Sequence, residues 1–90
     1  MQTYKLFLSN RFIHSFKKID KHNALILAKW IEKNLNACTN PYFQGIYLRG
    51  KFEGCWRYRI GNYRLIVKIE HDKLIIIAIE IAHRRDIYTK

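Results

Sequence analysis

The feature that most constrains this chain is LIIIAIEIA, Leu74 to Ala82. The apolar run from Ile75 to Ile79 is too short to span a bilayer. It is apolar at successive rather than alternate positions, so a strand built from it needs cover on both faces. Such a strand belongs in the interior of a sheet. The rest of the chain must then supply its neighbours and its cover.

The residues just upstream supply neighbours. Cys55 to Ile60 and Tyr63 to Glu70 read as strands, and the Gly61-Asn62 pair between them is a two-residue hairpin signal. His71-Asp72 reads as a weaker turn into a last strand, Lys73 to Ala82. These three segments form an antiparallel meander. Thr3 to Leu8 reads as a further short strand at the start of the chain.

The cover comes from two helical stretches. Ser9 is a good N-cap, and Phe12, Ile13, Phe16 and Ile19 follow at helical spacing. Asp20 or Asn23 restarts a second helix, whose stripe is Ala24, Leu27, Ala28, Ile31 and Leu35, widened by Leu25. Asn40-Pro41 ends it. The segment PYFQGIYLRGKFEG has no strong period and reads as an irregular connection, with a short strand near Ile46 to Leu48. HRRDIYTK, after the last strand, reads as a turn or one helical turn.

Residues 1–90 therefore make one α+β domain. Its order is an N-terminal strand, a two-helix hairpin and a three-stranded antiparallel meander, with the helices on one face of the sheet. The other face is left either exposed or functional.

Charge says what that face is for. Seventeen Lys and Arg against seven Asp and Glu leave a formal net charge of +10, which attracts a polyanion: nucleic acid, an anionic membrane surface or an acidic protein. Lysines dominate the helical half, as solubility alone would produce. Six of the seven arginines lie at or after Arg49. In WRYRIGNYR, strand alternation puts Trp56, Tyr58 and Ile60 on one side and Arg57 and Arg59 on the other. A two-residue loop pairs Arg59 with Arg64 and sets Arg57 opposite Ile66. If the next loop also has two residues, odd-numbered positions of the last strand join this arginine face, with His83 at its end. The plainer alternative is that Arg57, Arg59 and Arg64 pair with Glu53, Glu70 or Glu80. Those acids are too few to neutralise every arginine nearby, and a guanidinium fork suits bidentate phosphate binding. Trp56, Tyr58 and Tyr63 are expected to face the helices as core. Tyr88 either stacks on a base or plugs a surface groove.

Cys38 and Cys55 form no C-x-x-C pair and no metal spacing with the four histidines. MQTYKLFLSNRF has neither a long apolar stretch nor a small-residue cleavage site, so reduced thiols in a cytosol are expected.

Leu48 to Gly50 (LRG), Trp56 to Ile69 (WRYRIGNYRLIVKI) and His83 to Tyr88 (HRRDIY) resemble the RelE/ParE superfamily of bacterial toxins from type II toxin–antitoxin operons. The resemblance covers nearly the whole chain and implies a microbial RNase-like fold. RelE-type members are ribosome-dependent endoribonucleases that cut mRNA without a metal or cofactor: the ribose 2′-OH attacks the adjacent phosphate and leaves a cyclic phosphate. ParE-type members instead poison DNA gyrase. Both are neutralised by a small antitoxin with an acidic toxin-binding segment. By this likeness Arg57 and Arg59 contact the scissile phosphate region, Arg64 stabilises developing charge and Arg84 is a second arginine site. Tyr88 orients or stacks the nucleotide, and His83 stands where several members carry a general acid. Arg49, Lys51 and Arg85 are further substrate-binding candidates. The chain departs from the pattern at Arg59, where the best-known members carry a lysine proposed as general base. A guanidinium is always protonated and cannot accept the 2′-OH proton. Glu53, Lys51, His83 or a ribosomal group would have to do so.

Overall fold

The fold is a computed structural model and describes residues 2–87. Seven elements follow in order: β1 (Lys5–Leu8), α1 (Asn10–Phe16), α2 (Lys21–Asn34), β2 (Ile46–Tyr47), β3 (Trp56–Ile60), β4 (Tyr63–Glu70) and β5 (Ile75–His83). The strands make one five-stranded sheet in the order β1-β5-β4-β3-β2. The meander is therefore the centre of a larger, mixed sheet. β1 returns to lie parallel to β5, and the short β2 extends the far edge alongside β3. LIIIAIEIA is interior, as its two apolar faces require.

Local chemistry sets the helices. Ser9 Oγ accepts from the Phe12 N–H at 3.0 Å, and Asp20 Oδ2 accepts from the Asn23 N–H at 3.0 Å. Each satisfies an amide that the first turn leaves without a partner. In α2 the stripe narrows to Leu27 and Ile31, continued by Leu35 just past the helix end. Leu25 does not widen it: Leu25 and Ile26 both point to solvent, 58% and 48% exposed.

The seven-residue α1 also replaces a strand. β1 stops at Leu8, opposite Ala78, and β5 runs on beyond it. There the Ser9 N–H donates to Ala78 O at 3.1 Å, and the Ile81 N–H donates to Ser15 Oγ at 3.1 Å. The cap residue's amide and one side chain of α1 thus satisfy part of an edge that would otherwise be open to another strand.

The main core lies between sheet and helices. Tyr58, Leu65, Val67, Ile76, Ala78 and Ile81 meet Phe12, Leu27, Ile31 and Leu35 there. Tyr58 is fully buried, with Trp56 and Tyr63 packed against its cluster, as alternation requires. The opposite face is not bare. Leu48, Phe52, Ile66 and Ile87 form a second, smaller cluster on it. The loop before β3 and the turn after β5 both fold back to build it. Cys38 packs on the first cluster, Cys55 on the second, and both are free thiols. No helix among the described residues is long and apolar enough to cross a membrane.

The β4–β5 connection departs from expectation in a way that reaches the site. The turn spans four residues, with Glu70 opposite Ile75 and Leu74 in the left-handed region at φ 54°. The register then shifts: Ile66 faces Glu80 but Val67 faces Ala78, so Ile79 is an extra residue in β5. A one-residue bulge exchanges the two faces for everything beyond it. His83 consequently pairs with Tyr63, whose ring packs on the helix-side core. It does not lie on the arginine face.

Candidate functional site

The site is built on the β3–β4 hairpin. Gly61, at φ 58°, and Asn62 make the two-residue turn, and its register is the one alternation requires: Ile60 opposite Tyr63, Arg59 opposite Arg64, Arg57 opposite Ile66. Three guanidinium groups therefore share one face. Like charges directly opposite across two strands are destabilising. The hairpin tolerates them because Arg64 is turned inward. Only 9% of it is exposed, and its Nη1 donates to Gly61 O and Tyr63 O, both at 3.0 Å. Carbonyl dipoles of the turn thus spread part of the charge that Arg59 faces. Arg59 itself is exposed and Arg57 half-buried.

Two of the acids that could have neutralised this face are engaged elsewhere. Glu80, nearly buried, accepts from Arg11 Nε at 2.6 Å and pairs with Arg11 Nη2 at 2.5 Å. Glu70 pairs with Lys73 at 3.4 Å.

The chain after β5 closes on the same hairpin. The Arg84 N–H donates to Asn62 O at 2.7 Å, and the amides of Asp86 and Ile87 donate to His83 O at 2.8 and 3.2 Å. Ile87 is fully buried beside Ile66. This anchors the tail on the arginine side and sets Arg84 at the hairpin tip. Arg84 and Arg85 are both exposed. Tyr88 lies outside the described residues.

His83 stands apart from the arginines. Its ring meets Tyr63 edge-on, centroids 5.5 Å apart, and its Nδ1 accepts from the Arg85 N–H at 3.2 Å. It opens into a cavity of about 510 Å³ lined also by Lys18, Asp20, Tyr63 and Asp86. Arg49 and Lys51 sit on the exposed loop before β3, with Lys51 Nζ 5.5 Å from the Phe52 ring centroid.

Two cations on the arginine side escaped sequence reasoning. Arg11 reaches round from α1 to place its guanidinium carbon 5.4 Å from the Phe52 ring centroid. Lys68 follows Arg64 and Ile66 on the same side of β4 by alternation. Burial pushes the Cys55 thiol pKa up, while the charges of Lys68 and Arg11 pull it down, which places both beside that half-buried thiol. Alternation along β4 was signal enough for Lys68; nothing in the sequence pointed to Arg11. Among the described residues no three His, Cys, Asp or Glu side chains converge as metal ligands.

Chemically, this face is a fixed row of donors that cannot lose a proton. It suits gripping a phosphate and stabilising added negative charge on it. Proton transfer has to come from elsewhere.

Comparison with solved structures shows the same fold in toxin–antitoxin proteins. A chain of the RelBE2 toxin–antitoxin complex from Mycobacterium tuberculosis superposes with a TM-score of 0.81 at 21% identity, covering 96% of this chain and 97% of that one. A variant of Escherichia coli toxin RelE in the free state gives 0.69 at 20% identity, over 91% and 84% of the two chains. A chain of the RelB–RelE antitoxin–toxin complex from Methanococcus jannaschii gives 0.62 at 22% identity, over 92% and 95%. No curated protein matches the chain in sequence. The family model described as the ParE toxin of the type II toxin–antitoxin system parDE matches residues 6–88. With that match spanning the hairpin, its arginines and the returning tail, the chain belongs to the ParE toxin family, within the RelE/ParE superfamily of type II toxin–antitoxin toxins.

Proposed function

We propose that this toxin is a ribosome-dependent mRNA endoribonuclease. The observation that carries the reading is the cross-strand pair Arg59–Arg64 with Arg57 on one face, Arg64 being held by turn carbonyls. In the proposed reaction a ribose 2′-OH attacks the adjacent phosphorus, the bond to the 5′-oxygen breaks, and a cyclic phosphate and a 5′-hydroxyl are left. Arg57 and Arg59 grip the scissile phosphate, and Arg64 stabilises the charge that develops on it. Arg84, at the hairpin tip, holds a neighbouring phosphate, with Arg49, Lys51 and Arg85 as outer contacts. No member of the arginine trio takes the 2′-OH proton, so a ribosomal group or a deprotonated Lys51 receives it, and the departing 5′-oxygen takes a proton from the ribosome or from water. Holding the 2′-OH in line then carries much of the rate, and positioning of that kind is worth on the order of 7 kcal/mol or more.

A cognate antitoxin with an acidic segment is the proposed neutralising partner. The +10 charge supports it, as does the assembly of related toxins with antitoxins in their solved complexes. Action in the cytoplasm follows from a ribosomal target.

A second reading, inhibition of DNA gyrase without RNA cleavage, has specific support. The matching family model is described as ParE, arginine occupies position 59, and His83 lies off the arginine face. Expression in cells with primer extension on mRNA separates the two. Cuts at codon positions that vanish in Arg59→Ala support the ribonuclease. Intact mRNA with an SOS response and gyrase cleavage complexes supports the gyrase poison.

A further inference from the structure

The loop between α2 and β3 presents a cluster of rings that neither core uses fully. Tyr42, Phe43, Ile46 and Tyr47 are 42%, 45%, 47% and 53% exposed within six residues. Exposed apolar residues scattered singly need no explanation, but a contiguous patch of them does.

These rings are held in place. Trp56 Nε1 donates to Gln44 O at 2.8 Å, and the Tyr58 hydroxyl donates to Pro41 O at 2.5 Å, so two strand residues pin the loop. Gly45, at φ 95°, lets the backbone pass where a Cβ would stand 2.4 Å from Arg57 O and 2.6 Å from Trp56 Nε1. The Tyr42 ring meets Trp56 edge-on, with centroids 5.1 Å apart. Tyr47 stands directly opposite Trp56 in the β2–β3 pair, so the two side chains rise on the same side of the sheet. The result is a rigid platform of three rings along the sheet edge.

The electrostatic setting narrows what it binds. Between Glu32 and Glu53 the sequence holds no acid, and Lys33, Arg49 and Lys51 flank the rings along the chain. Ile46 is the cross-strand partner of Arg57, while Tyr47 and Trp56 rise on the other side of the sheet, so the platform and the guanidinium row lie on opposite faces of one edge whose outer strand is two residues long. Aromatic faces beside a cationic track are the combination that holds unpaired nucleotides, because every base has a face to stack.

We propose that Tyr42, Trp56 and Tyr47 stack unpaired bases of single-stranded RNA flanking the phosphate gripped by Arg57 and Arg59. This inference rests on the ribonuclease reading and extends its substrate contact to a segment that turns round β2.

The test uses the full chain and a fluorescent 2′-O-methyl RNA oligomer of about a dozen nucleotides, long enough to cover a site of the usual size. The oligomer lacks the attacking hydroxyl and cannot be cut. Binding is read by anisotropy, with circular dichroism confirming that each variant is folded. Tyr42→Ala and Tyr47→Ala are each expected to weaken binding about fivefold or more, and Tyr47→Trp to restore it. If the tyrosine variants bind like the wild type while Arg59→Ala does not, the platform is refuted and the phosphate grip stands. If they lose affinity while Arg59→Ala keeps it, the rings bind RNA apart from any phosphate grip, and both the inference as stated and the arginine site of the ribonuclease reading are overturned. The inference is overturned if the folded wild type does not bind, or if Tyr47→Trp is as weak as Tyr47→Ala. It is equally overturned if poly-glutamate binding, and not RNA binding, depends on the two tyrosines; the platform would then serve an acidic protein.

Discussion

The two faces of the sheet are made from the same strands and are built on opposite terms. The helix side carries a dozen buried residues in one cluster, with Tyr58, Leu65, Val67, Ile76, Ala78 and Ile81 contributed by the strands. The arginine side carries four buried apolar residues in its cluster, three of them supplied by loop and tail, and surrounds them with cations. Burial gains grow with apolar area removed from water, so the first face holds the fold together. The second keeps just enough packing to hold Arg57, Arg59 and Arg64 in register. A toxin of this size can devote one side of a sheet to charge because the other side is dense enough to sustain the domain.

The largest effect should come from the dense face. Leu65→Ala removes a fully buried side chain at the centre of the sheet and is expected to cost about 2–5 kcal/mol in denaturant unfolding. A smaller loss than Ile66→Ala gives on the other face would break the comparison. Next is Arg59→Ala, where the side chain is exposed. Its stability should stay within about 0.5 kcal/mol of wild type, while the mRNA cleavage that the ribonuclease proposal requires falls about 10²–10³-fold, as when one charge-stabilising donor is removed. Arg64→Ala is a less clean test, because its guanidinium also holds the turn carbonyls.

Ser9→Ala sharpens the picture at the sheet edge. It removes the N-cap of α1 and the hydroxyl that donates to Ile79 O at 3.4 Å. A loss of about 1 kcal/mol is expected, with faster amide exchange at Ile81 on the adjacent edge. Tyr58→Phe loses the hydroxyl that donates to Pro41 O, costing about 1 kcal/mol at neutral pH, and shows its distinctive difference in alkali. Burial raises the Tyr58 phenol pKa above its ordinary value. The folded state then keeps a proton that the unfolded chain gives up near pH 10. Stability from this group is full below that pH and declines as pH rises beyond it. Wild type should lose stability above about pH 10 more steeply than Tyr58→Phe; parallel curves would show that the phenol is not shielded.

Much of this was legible along the chain. The hairpin register was, because alternation and a two-residue Gly-Asn turn leave one way to pair Arg59 with Arg64. The cap at Ser9 was, and that at Asp20 was one of two candidates with Asn23, because a short oxygen-bearing side chain before an apolar stripe has a local job. The position of His83 was not. It depends on a four-residue turn with Leu74 in the left-handed region and an extra residue at Ile79, and neither residue type announces that geometry. Burial of Ile87 was equally hidden in a polar tail, and so was the reach of Arg11 to Glu80 across 69 positions.

The amino-acid order by itself determined the α+β class, the strand hairpin, the helix starts and the clustering of arginine on one side of β3 and β4. These follow from period, turn chemistry and capping, all of which act between residues close in sequence. Only the tertiary structure decided that β1 runs parallel to β5, that the second face is partly covered, that Arg64 is bound inward and that His83 faces the helices. Those outcomes depend on contacts between distant segments and on one bulge, and a single extra residue is enough to exchange the two sides of a strand.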